Sequence, residues 1–95
     1  MGKVVKTGDN SSEARPRPLY LMYYTYVLQN RLTKQFYIGY AADLKQRLAQ
    51  HQRKQKTQQL IYYEAYISEK LARAREKKLK FYGSAWSGLK KRIIN

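Results

Sequence analysis

An arginine and the chain's single histidine stand four positions apart, Arg47 and His51, within the segment KQFYIGYAADLKQRLAQH. Residues four apart project from the same side of an α-helix, so these two side chains can act on one ligand. Arginine carries a permanent charge on a planar fork that matches a phosphate, and histidine can accept or donate a proton near neutral pH. A solvated arginine beside a histidine that merely ends the helix is the alternative, and this pair alone leaves both interpretations open.

Glu76 is the carboxylate with the best placement for chemistry, because every other charged residue in its segment RAREKKLK is basic. At about 100° per residue around a helix, Glu76 lies next to Ala72 and Leu79 and so borders the apolar side. One carboxylate in that position can hold one hard divalent cation such as Mg²⁺, with water and phosphate oxygens completing the shell. A surface ion pair with Arg73 or Lys80 is the alternative, and it would contribute little to stability.

The overall charge predicts a polyanionic partner. The 95 residues contain 20 Lys and Arg against six Asp and Glu, a formal net charge of +14. Nucleic acid is the first expectation and an acidic membrane surface the second. The absence of cysteine excludes a disulfide framework and thiolate metal sites and favours the cytoplasm. No apolar run reaches the roughly 18 residues of a membrane span, so we expect no membrane insertion.

Patterns of residue type predict one small domain after a tail. Residues 1–18 are small, polar and charged with two closely spaced prolines, so we expect a flexible tail and a domain over 19–95. Within this domain the residue patterns predict the element order β-β-α-β-α-α. This order indicates an α+β fold, a small sandwich in which helices flank a three-stranded antiparallel sheet. The elements are expected at LYLMYYTYVLQN, QFYIGY, LKQRLAQHQRK, QLIYYEAYI, EKLARAREKKLKFYG and SAWSGLKKRII.

Local signals define the ends and buried faces of the predicted helices. Asp43 and Ser68 have the residue types of N-caps, whose side chains accept hydrogen bonds from the first turn. Leu44 and Leu48 form an apolar stripe on the first helix. On the second helix the expected stripe comprises Leu71, Arg75, Leu79 and Tyr82, with Gly83 as the stop. The last helix is expected to pack through Trp86, Leu89 and Ile93.

These residues occur in an order that resembles the GIY-YIG nuclease superfamily, specifically its small standalone bacterial members. Tyr37-Ile38-Gly39 is an intact YIG, and DLKQRLAQH is similar to the family's Asp-Leu-x-x-Arg-Leu-x-x-His segment. The stretch LIYYEAYIS…AREKKLK resembles its third strand and glutamate-bearing helix. The first half-motif reads Tyr24-Thr25-Tyr26 here, so only its final tyrosine matches. The resemblance covers most of residues 20–95.

The resemblance implies hydrolysis of phosphodiester bonds in DNA with one divalent cation, Mg²⁺ or Mn²⁺. It implies that Glu76 is the metal ligand and that Arg47 stabilises charge on the phosphoryl oxygens. Tyr26 and Tyr37 would border the nucleophile, one of them helping to orient or deprotonate a water, and His51 would assist by hydrogen bonding or proton transfer. A phenol with a pKa near about 10 needs nearby cations to act as a base at neutral pH.

Under this interpretation the remaining basic residues hold the DNA backbone on either side of the cut, and the missing side chain of Gly39 lets a phosphate approach beside Tyr37. The expected contacts are Gly39, Arg53, Lys54, Lys56, Lys90, Lys91 and Arg92. Backbone contacts read no sequence, so we expect selectivity for double-stranded or branched structures, weak selectivity, or targeting by a partner protein. Cleavage of RNA stays open. Two alternatives remain, a non-catalytic or weakly catalytic nucleic-acid binding module on the same scaffold and a basic ribosome-associated interaction protein.

Overall fold

The computed structural model describes residues 21–94. Its elements confirm the predicted order β-β-α-β-α-α and the α+β class. The predicted tail over residues 1–18 lies outside the described residues. In chain order the elements are β1 (Tyr23–Asn30), β2 (Phe36–Ala41), α1 (Leu44–Lys54), β3 (Gln58–Tyr66), α2 (Glu69–Phe81) and α3 (Gly83–Ile93).

The three strands form one antiparallel sheet in the order β2-β1-β3, so β1 is the central strand. Side chains alternate between the two faces of a strand, which places Tyr26 on one face of β1 and its neighbours Thr25 and Val27 on the other. Tyr26 pairs with Gly39 of β2 on one side and with Tyr63 of β3 on the other. The register therefore brings the predicted tyrosine of the first strand directly beside the glycine of the YIG segment.

Helices cover both faces of this sheet and give the domain two small cores. On the first face, α1 packs against Tyr26, Leu28 and Ala41 through Leu44 and Leu48, which confirms the predicted apolar stripe. On the second face, α2 and α3 pack on the sheet. That second core contains Val27, Leu79 and Leu89, with Phe36, Ile38, Ile61, Tyr62, Ala85, Trp86 and Ile93 around them. The predicted packing of α3 through Trp86, Leu89 and Ile93 is thereby confirmed.

Side-chain caps fix where α1 and α2 begin, as predicted. Asp43 accepts a hydrogen bond from the backbone N–H of Gln46 at 3.0 Å, and the hydroxyl oxygen of Ser68 accepts one from Leu71 N–H at 3.3 Å. These bonds satisfy N–H groups of the first turn that have no partner within the helix. The start of α1 sets the positions of the arginine and histidine that follow on it.

The predicted apolar stripe of α2 is wrong in two of its four members. Leu71 and Tyr82 are exposed, at 52% and 63%, whereas Ala72 and Leu79 are buried. The hydroxyl of Thr25 donates to the carbonyl oxygen of Ala72 at 2.6 Å, so β1 holds α2 on the side of Ala72. The buried side of α2 is consequently centred on Ala72 and Leu79 rather than on the predicted stripe. Glu76 borders this buried side, as its spacing predicts.

Among residues 21–94, none of the helices combines the length and apolar character needed to cross a membrane.

Candidate active site

Tyr26 and His51 form the inner part of a polar cluster on the α1 face of the sheet. Tyr26 is fully buried in the middle of β1, and its phenol oxygen lies 2.8 Å from Nε2 of His51 in α1. The two rings meet edge to face at 5.8 Å. A buried hydroxyl without a partner is costly, so His51 fixes Tyr26 and is itself fixed by it.

Tyr37 forms the outer part of the same cluster. Its side chain is 41% exposed, and its ring lies 4.7 Å from the His51 ring and 6.3 Å from the Tyr26 ring. The imidazole thus contacts both phenols, one buried and one open to solvent. The structure brings together the three predicted residues that could handle a proton.

Gly39 lies beneath these rings, and the structure gives a packing reason for the glycine. A Cβ at this position would lie 2.5 Å from the Tyr26 phenol oxygen and 3.0 Å from a ring carbon of Tyr37. The first distance is too short for a Cβ unless the buried Tyr26 ring moves, and the second is tight, so glycine lets the Tyr26 ring cross β2 without displacement. The sequence prediction explained Gly39 by the approach of a phosphate, whereas the structure shows a glycine buried under a phenol.

Arg47 lies one helical turn before His51 and is exposed. Its Nη1 donates to the backbone carbonyl of Tyr40 in β2 at 3.5 Å, which draws the guanidinium across the edge of the sheet. The positive charge of Arg47 favours a lower pKa for both Tyr26 and His51. The predicted arginine and histidine therefore share one site, and the guanidinium stays accessible to a ligand.

Glu76 lies on α2, which packs on the opposite face of the sheet. This helix also passes beside the edge strand β2, where the Arg73 guanidinium lies 4.3 Å from the centre of the Tyr40 ring. The Glu76 carboxylate raises the pKa of Tyr26, so it lies within electrostatic range of the inner phenol. Its Oε2 accepts from Nζ of Lys80 at 2.9 Å, and 19% of the Glu76 side chain is exposed. The ion pair foreseen as the alternative is thus present, on a carboxylate that also influences the pKa of Tyr26.

Burial governs the protonation of Tyr26. Removal from water, and then the neighbouring Tyr37, raise the pKa of the Tyr26 phenol to about 12, against the opposing charge of Arg47. Tyr26 is therefore neutral over the physiological range. A buried phenol with this pKa can hold a hydrogen bond but cannot by itself deprotonate a water at neutral pH.

His51 is shifted in the direction that keeps it neutral. Burial, followed by the positive charges of Arg47 and Lys54, lowers the pKa of His51 below 6.5. A neutral imidazole has one nitrogen able to accept a proton and one able to donate. His51 can therefore accept a proton at neutral pH, and Lys54 at the end of α1 is one of the residues that keep it able to do so.

The predicted DNA contacts fall in two separate places. Arg53 and Lys54 end α1 and Lys56 follows in the loop to β3, all three exposed and close to the His51 end of the site. The second group occupies the last turn of α3, on the other face of the sheet: Lys90, Lys91 and Arg92. There the Lys90 ammonium lies 5.8 Å from the centre of the Phe36 ring. Only the first group adjoins the cluster around His51.

Glu64, whose orientation the sequence left open, belongs to a network away from the cluster. Its carboxylate accepts from the hydroxyls of Tyr62 and Tyr66 at 2.6 and 2.5 Å and from Arg75 Nε at 3.0 Å. Burial is the largest single influence on Glu64 and acts to raise its pKa. The hydrogen bonds from Arg75, Tyr62 and Tyr66 together outweigh it, so the pKa of Glu64 is lowered. The network ties β3 to α2, and its carboxylate is fully occupied.

A groove on the described residues does not contain the candidate catalytic residues. It has a volume of about 540 Å³ and lies beside the first turn of α1. Its walls are mainly apolar and comprise Leu21, Tyr24, Ala42, Asp43, Leu44, Lys45, Leu48, Leu60 and Tyr63. The candidate active site is instead an open surface cluster, which suits an extended polymer better than an enclosed small molecule.

Tyr26, Tyr37, Arg47 and His51 thus converge on one side of the sheet, with Glu76 in electrostatic range. The family model of the GIY-YIG catalytic domain matches residues 22–90 of the 95-residue chain. The chain belongs to the GIY-YIG family. No curated protein and no solved structure matches it.

Membership confirms the resemblance seen in the sequence and indicates a nuclease-type function, because the GIY-YIG family is one of endonucleases. DNA is the substrate on which GIY-YIG nuclease domains act. The match spans every strand and most of α3, so it includes the elements that carry all five candidate residues. Two structural features were not readable from the sequence of this GIY-YIG domain. They are the Tyr40 carbonyl that holds Arg47 and the Tyr26 phenol that excludes a side chain at position 39.

Proposed function

We propose that this GIY-YIG domain is a metal-dependent DNA endonuclease that hydrolyses phosphodiester bonds with one divalent cation. The observation that carries the proposal is the contact of a single neutral imidazole with two phenols, beside an exposed guanidinium. His51 lies 2.8 Å from the Tyr26 hydroxyl and 4.7 Å from the Tyr37 ring, and Arg47 acts on the pKa of His51. A DNA-binding surface alone has no need for such an arrangement.

Arg47 is the residue that stabilises negative charge on the phosphoryl group. Hydrolysis of a phosphodiester develops charge on the non-bridging oxygens, and catalysis of this reaction depends mainly on positioning and charge stabilisation. The guanidinium is exposed to an incoming phosphate, while its contact with the Tyr40 carbonyl restricts where it points. A restrained planar donor loses less freedom when it binds a phosphate oxygen than a mobile lysine would.

The three ring residues have different duties in this proposal. Tyr37 is exposed, so its phenol meets the attacking water and orients it. Tyr26 is buried and has a pKa of about 12, so it positions the imidazole through the 2.8 Å hydrogen bond. His51 is neutral near physiological pH. In the tautomer whose Nε2–H donates to the Tyr26 oxygen, Nδ1 accepts the proton that the water loses. Proton transfer of this kind needs a base whose pKa lies near the working pH, which excludes the buried phenol.

Glu76 is the residue that would hold the cation. Among the described residues there is no group of three or more His, Cys, Asp or Glu side chains suited to a metal, so a multi-carboxylate cage is not offered. A single partly exposed carboxylate suits Mg²⁺ or Mn²⁺ when water molecules and phosphate oxygens supply the other ligands. Such a cation supplies Lewis-acid polarisation and neutralises charge on the reacting phosphate.

The basic residues beside the site supply affinity for the DNA backbone. Arg53, Lys54 and Lys56 are exposed next to the His51 end of α1 and would contact phosphates near the cut. The cluster of Lys90, Lys91 and Arg92 on α3 would extend the contact to a more distant part of the duplex. Since contacts to phosphates carry no sequence information, we propose cleavage that is weakly selective or selective for DNA structure. A targeting partner and a cytoplasmic location remain predictions from the sequence.

The second candidate function is a non-catalytic nucleic-acid binding module on the same scaffold. Glu76 argues against it, because its ion pair with Lys80 takes up a positive charge that a pure DNA-binding surface would use for a phosphate. The hydrogen bond between Tyr26 and His51 argues against it as well, since a bond within the protein adds nothing to the affinity for the DNA backbone.

Plasmid cleavage decides between the two functions. Purified protein is incubated with supercoiled DNA and with branched DNA in Mg²⁺, in Mn²⁺ and in EDTA. The expected result is conversion to nicked or linear product only with a divalent cation. E76Q protein purified by the same procedure serves as the control for a contaminating nuclease. DNA binding by gel shift with no product under any cation would favour the binding module.

A further inference from the structure

Lys80 occupies the carboxylate of Glu76 at the edge of the candidate active site. The ammonium Nζ lies 2.9 Å from Oε2 of Glu76, and the two side chains are 39% and 19% exposed. A glutamate four positions before a lysine is the favourable order for such a pair on a helix. Lys80 therefore occupies one of the two carboxylate oxygens that Glu76 could offer to a cation.

The other cation near Glu76 on this helix is already engaged elsewhere. Arg73 stands one turn before Glu76, but its Nε donates to Oε2 of Glu69 at 2.9 Å. Its guanidinium also lies over the Tyr40 ring at 4.3 Å. Lys80 is thus the charged group that makes the direct contact with Glu76 among the described residues.

An exposed ion pair between residues four apart contributes little to the stability of a helix. The consequence of this pair lies in the availability of the carboxylate. An ammonium in contact with Glu76 competes with any other cation for the same oxygen. If the ammonium stays nearby when a divalent cation binds, the two positive charges repel each other.

We propose that Lys80 is an internal counter-ion of Glu76, which a divalent cation displaces and which then contacts a DNA phosphate. The proposal rests on the proposed role of Glu76 as the metal ligand. Before the cation binds, Lys80 cancels the negative charge that would repel DNA. After it binds, the ammonium is free on the rim of the site, where the nearest anion available is the substrate backbone.

Direct binding of Mn²⁺ to the protein without DNA tests the first half of this exchange. Free Mn²⁺ is measured by electron paramagnetic resonance for the wild type and for K80M, K80R, K77M and E76Q. K80M is expected to bind Mn²⁺ about three- to tenfold more tightly, because both competition and repulsion are removed. K80R keeps the positive charge and should bind as the wild type does. K77M removes an exposed lysine from the same helix and should stay within about twofold.

The outcomes separate this proposal from the function on which it rests. Unchanged or weaker Mn²⁺ binding by K80M, with binding lost in E76Q, would overturn the counter-ion role and leave Glu76 as the ligand. An equal gain in K80M and K77M would assign the effect to net charge and would overturn the role too. Retention of Mn²⁺ binding by E76Q would instead refute the proposed metal ligand itself.

Salt dependence of DNA affinity tests the second half. Binding to a short duplex is measured in EDTA and in Ca²⁺ over a range of NaCl concentrations for the wild type and K80M. Each phosphate contact adds about 0.9 to the slope of log affinity against log salt. The two proteins should have equal slopes in EDTA, and in Ca²⁺ the wild-type slope should be steeper by about one contact. Equal slopes in both media would overturn the release of Lys80 to the backbone.

Discussion

The phenol oxygen of Tyr26 and Nε2 of His51 lie 2.8 Å apart, joining the central strand to the helix that packs on it. The Tyr26 side chain is completely buried, whereas His51 is partly buried, so the hydrogen bond joins the core to the surface. On the solvent-exposed side of His51 lies the second phenol, Tyr37, whose ring is 4.7 Å from the imidazole. The imidazole is consequently held between a fixed inner phenol and an accessible outer one, which assigns different tasks to two tyrosines of the same chemistry.

Replacing Tyr26 by phenylalanine should lower the cleavage rate by about 10- to 100-fold while the domain stays folded, because proton transfer depends on the orientation of the base. The ring remains to fill the core, and the lost hydrogen bond should cost roughly 1 kcal/mol of unfolding free energy. Plasmid nicking and urea denaturation measure the two effects. Y37F is the matched variant for stability, since it removes an exposed hydroxyl and leaves the bond between Tyr26 and His51 intact. Full activity in Y26F would contradict the positioning role.

The pH dependence of cleavage should follow the single histidine. Burial and the charges of Arg47 and Lys54 lower the pKa of His51 below 6.5, so the neutral form predominates at neutral pH. If neutral His51 is the base, activity stays constant around neutral pH and declines as pH falls through this lowered pKa. Because the folded state binds the proton less readily than the unfolded one, stability should decrease over the same acidic range. A pH–rate profile, with NMR titration of the imidazole, measures the pKa directly.

Lys54 offers a variant for that experiment. Removing its charge in K54M should raise the pKa of His51 toward the ordinary value and move the acidic limb of the rate profile in the same direction. K45M, on the same helix, should leave both unchanged, since Lys45 is not among the charges that act on His51. A rate profile that stays in place while the NMR pKa moves would show that His51 is not the base.

Local signals in the sequence predicted where elements begin. Asp43 and Ser68 both cap helices, because a cap depends on a side chain and the backbone three residues later. The buried side of α2 was not predicted correctly, because it depends on a contact between distant parts of the chain. Thr25 and Ala72 are 47 residues apart, and their hydrogen bond turns α2 so that Leu71 is exposed.

The residue types of the site were readable from the sequence, whereas their mutual geometry was not. The order of Tyr37, Arg47, His51 and Glu76 along the chain identified the family. The register that pairs Tyr26 with Gly39 depends on how two strands align, and no pattern within either strand specifies it. For the same reason the orientation of Glu64 stayed open until the strand pairing placed it beside Arg75.

Neutralising Glu76 should abolish cleavage without weakening DNA binding. E76Q keeps the shape of the side chain but removes the charge that would hold the cation, so nicking should fall below detection in Mg²⁺ and Mn²⁺. Binding at low salt should be equal or tighter, because one negative charge near the phosphates is gone. E69Q is the control on the same helix, since Glu69 pairs with the exposed Arg73. Weaker binding with unchanged cleavage would exclude the proposed role of Glu76.

Loss of the Arg47 guanidinium should lower turnover by two orders of magnitude or more. R47A removes charge stabilisation at the phosphoryl group, and R47K should recover only part of the activity because it lacks the planar fork. R53A provides the contrast, since a backbone contact should weaken affinity and salt dependence with little change in saturated turnover. A loss of less than about tenfold in R47A, roughly 1.4 kcal/mol, would argue against a role in the transition state.

Adding one methyl group at Gly39 distinguishes the two explanations of this glycine. In G39A the new Cβ would lie 2.5 Å from the Tyr26 phenol oxygen and 2.6 Å from the ring carbon that carries it. Because Tyr26 is buried on all sides, we expect the unfolding free energy to decrease by about 1–3 kcal/mol. Displacement of the phenol from His51 should also reduce cleavage in the protein that remains folded.

Gly88 supplies the matched control, because it lies on exposed α3 with no atom within 4 Å of an added Cβ. G88A should be neutral or stabilising by up to about 1 kcal/mol, since alanine is a better helix former than glycine. Urea denaturation, nicking and DNA affinity are measured for both variants. If Gly39 were required only for the approach of a phosphate, G39A would keep the wild-type stability and lose DNA affinity. A destabilised G39A with normal affinity for DNA at low salt would show that the Tyr26 phenol is what demands the glycine.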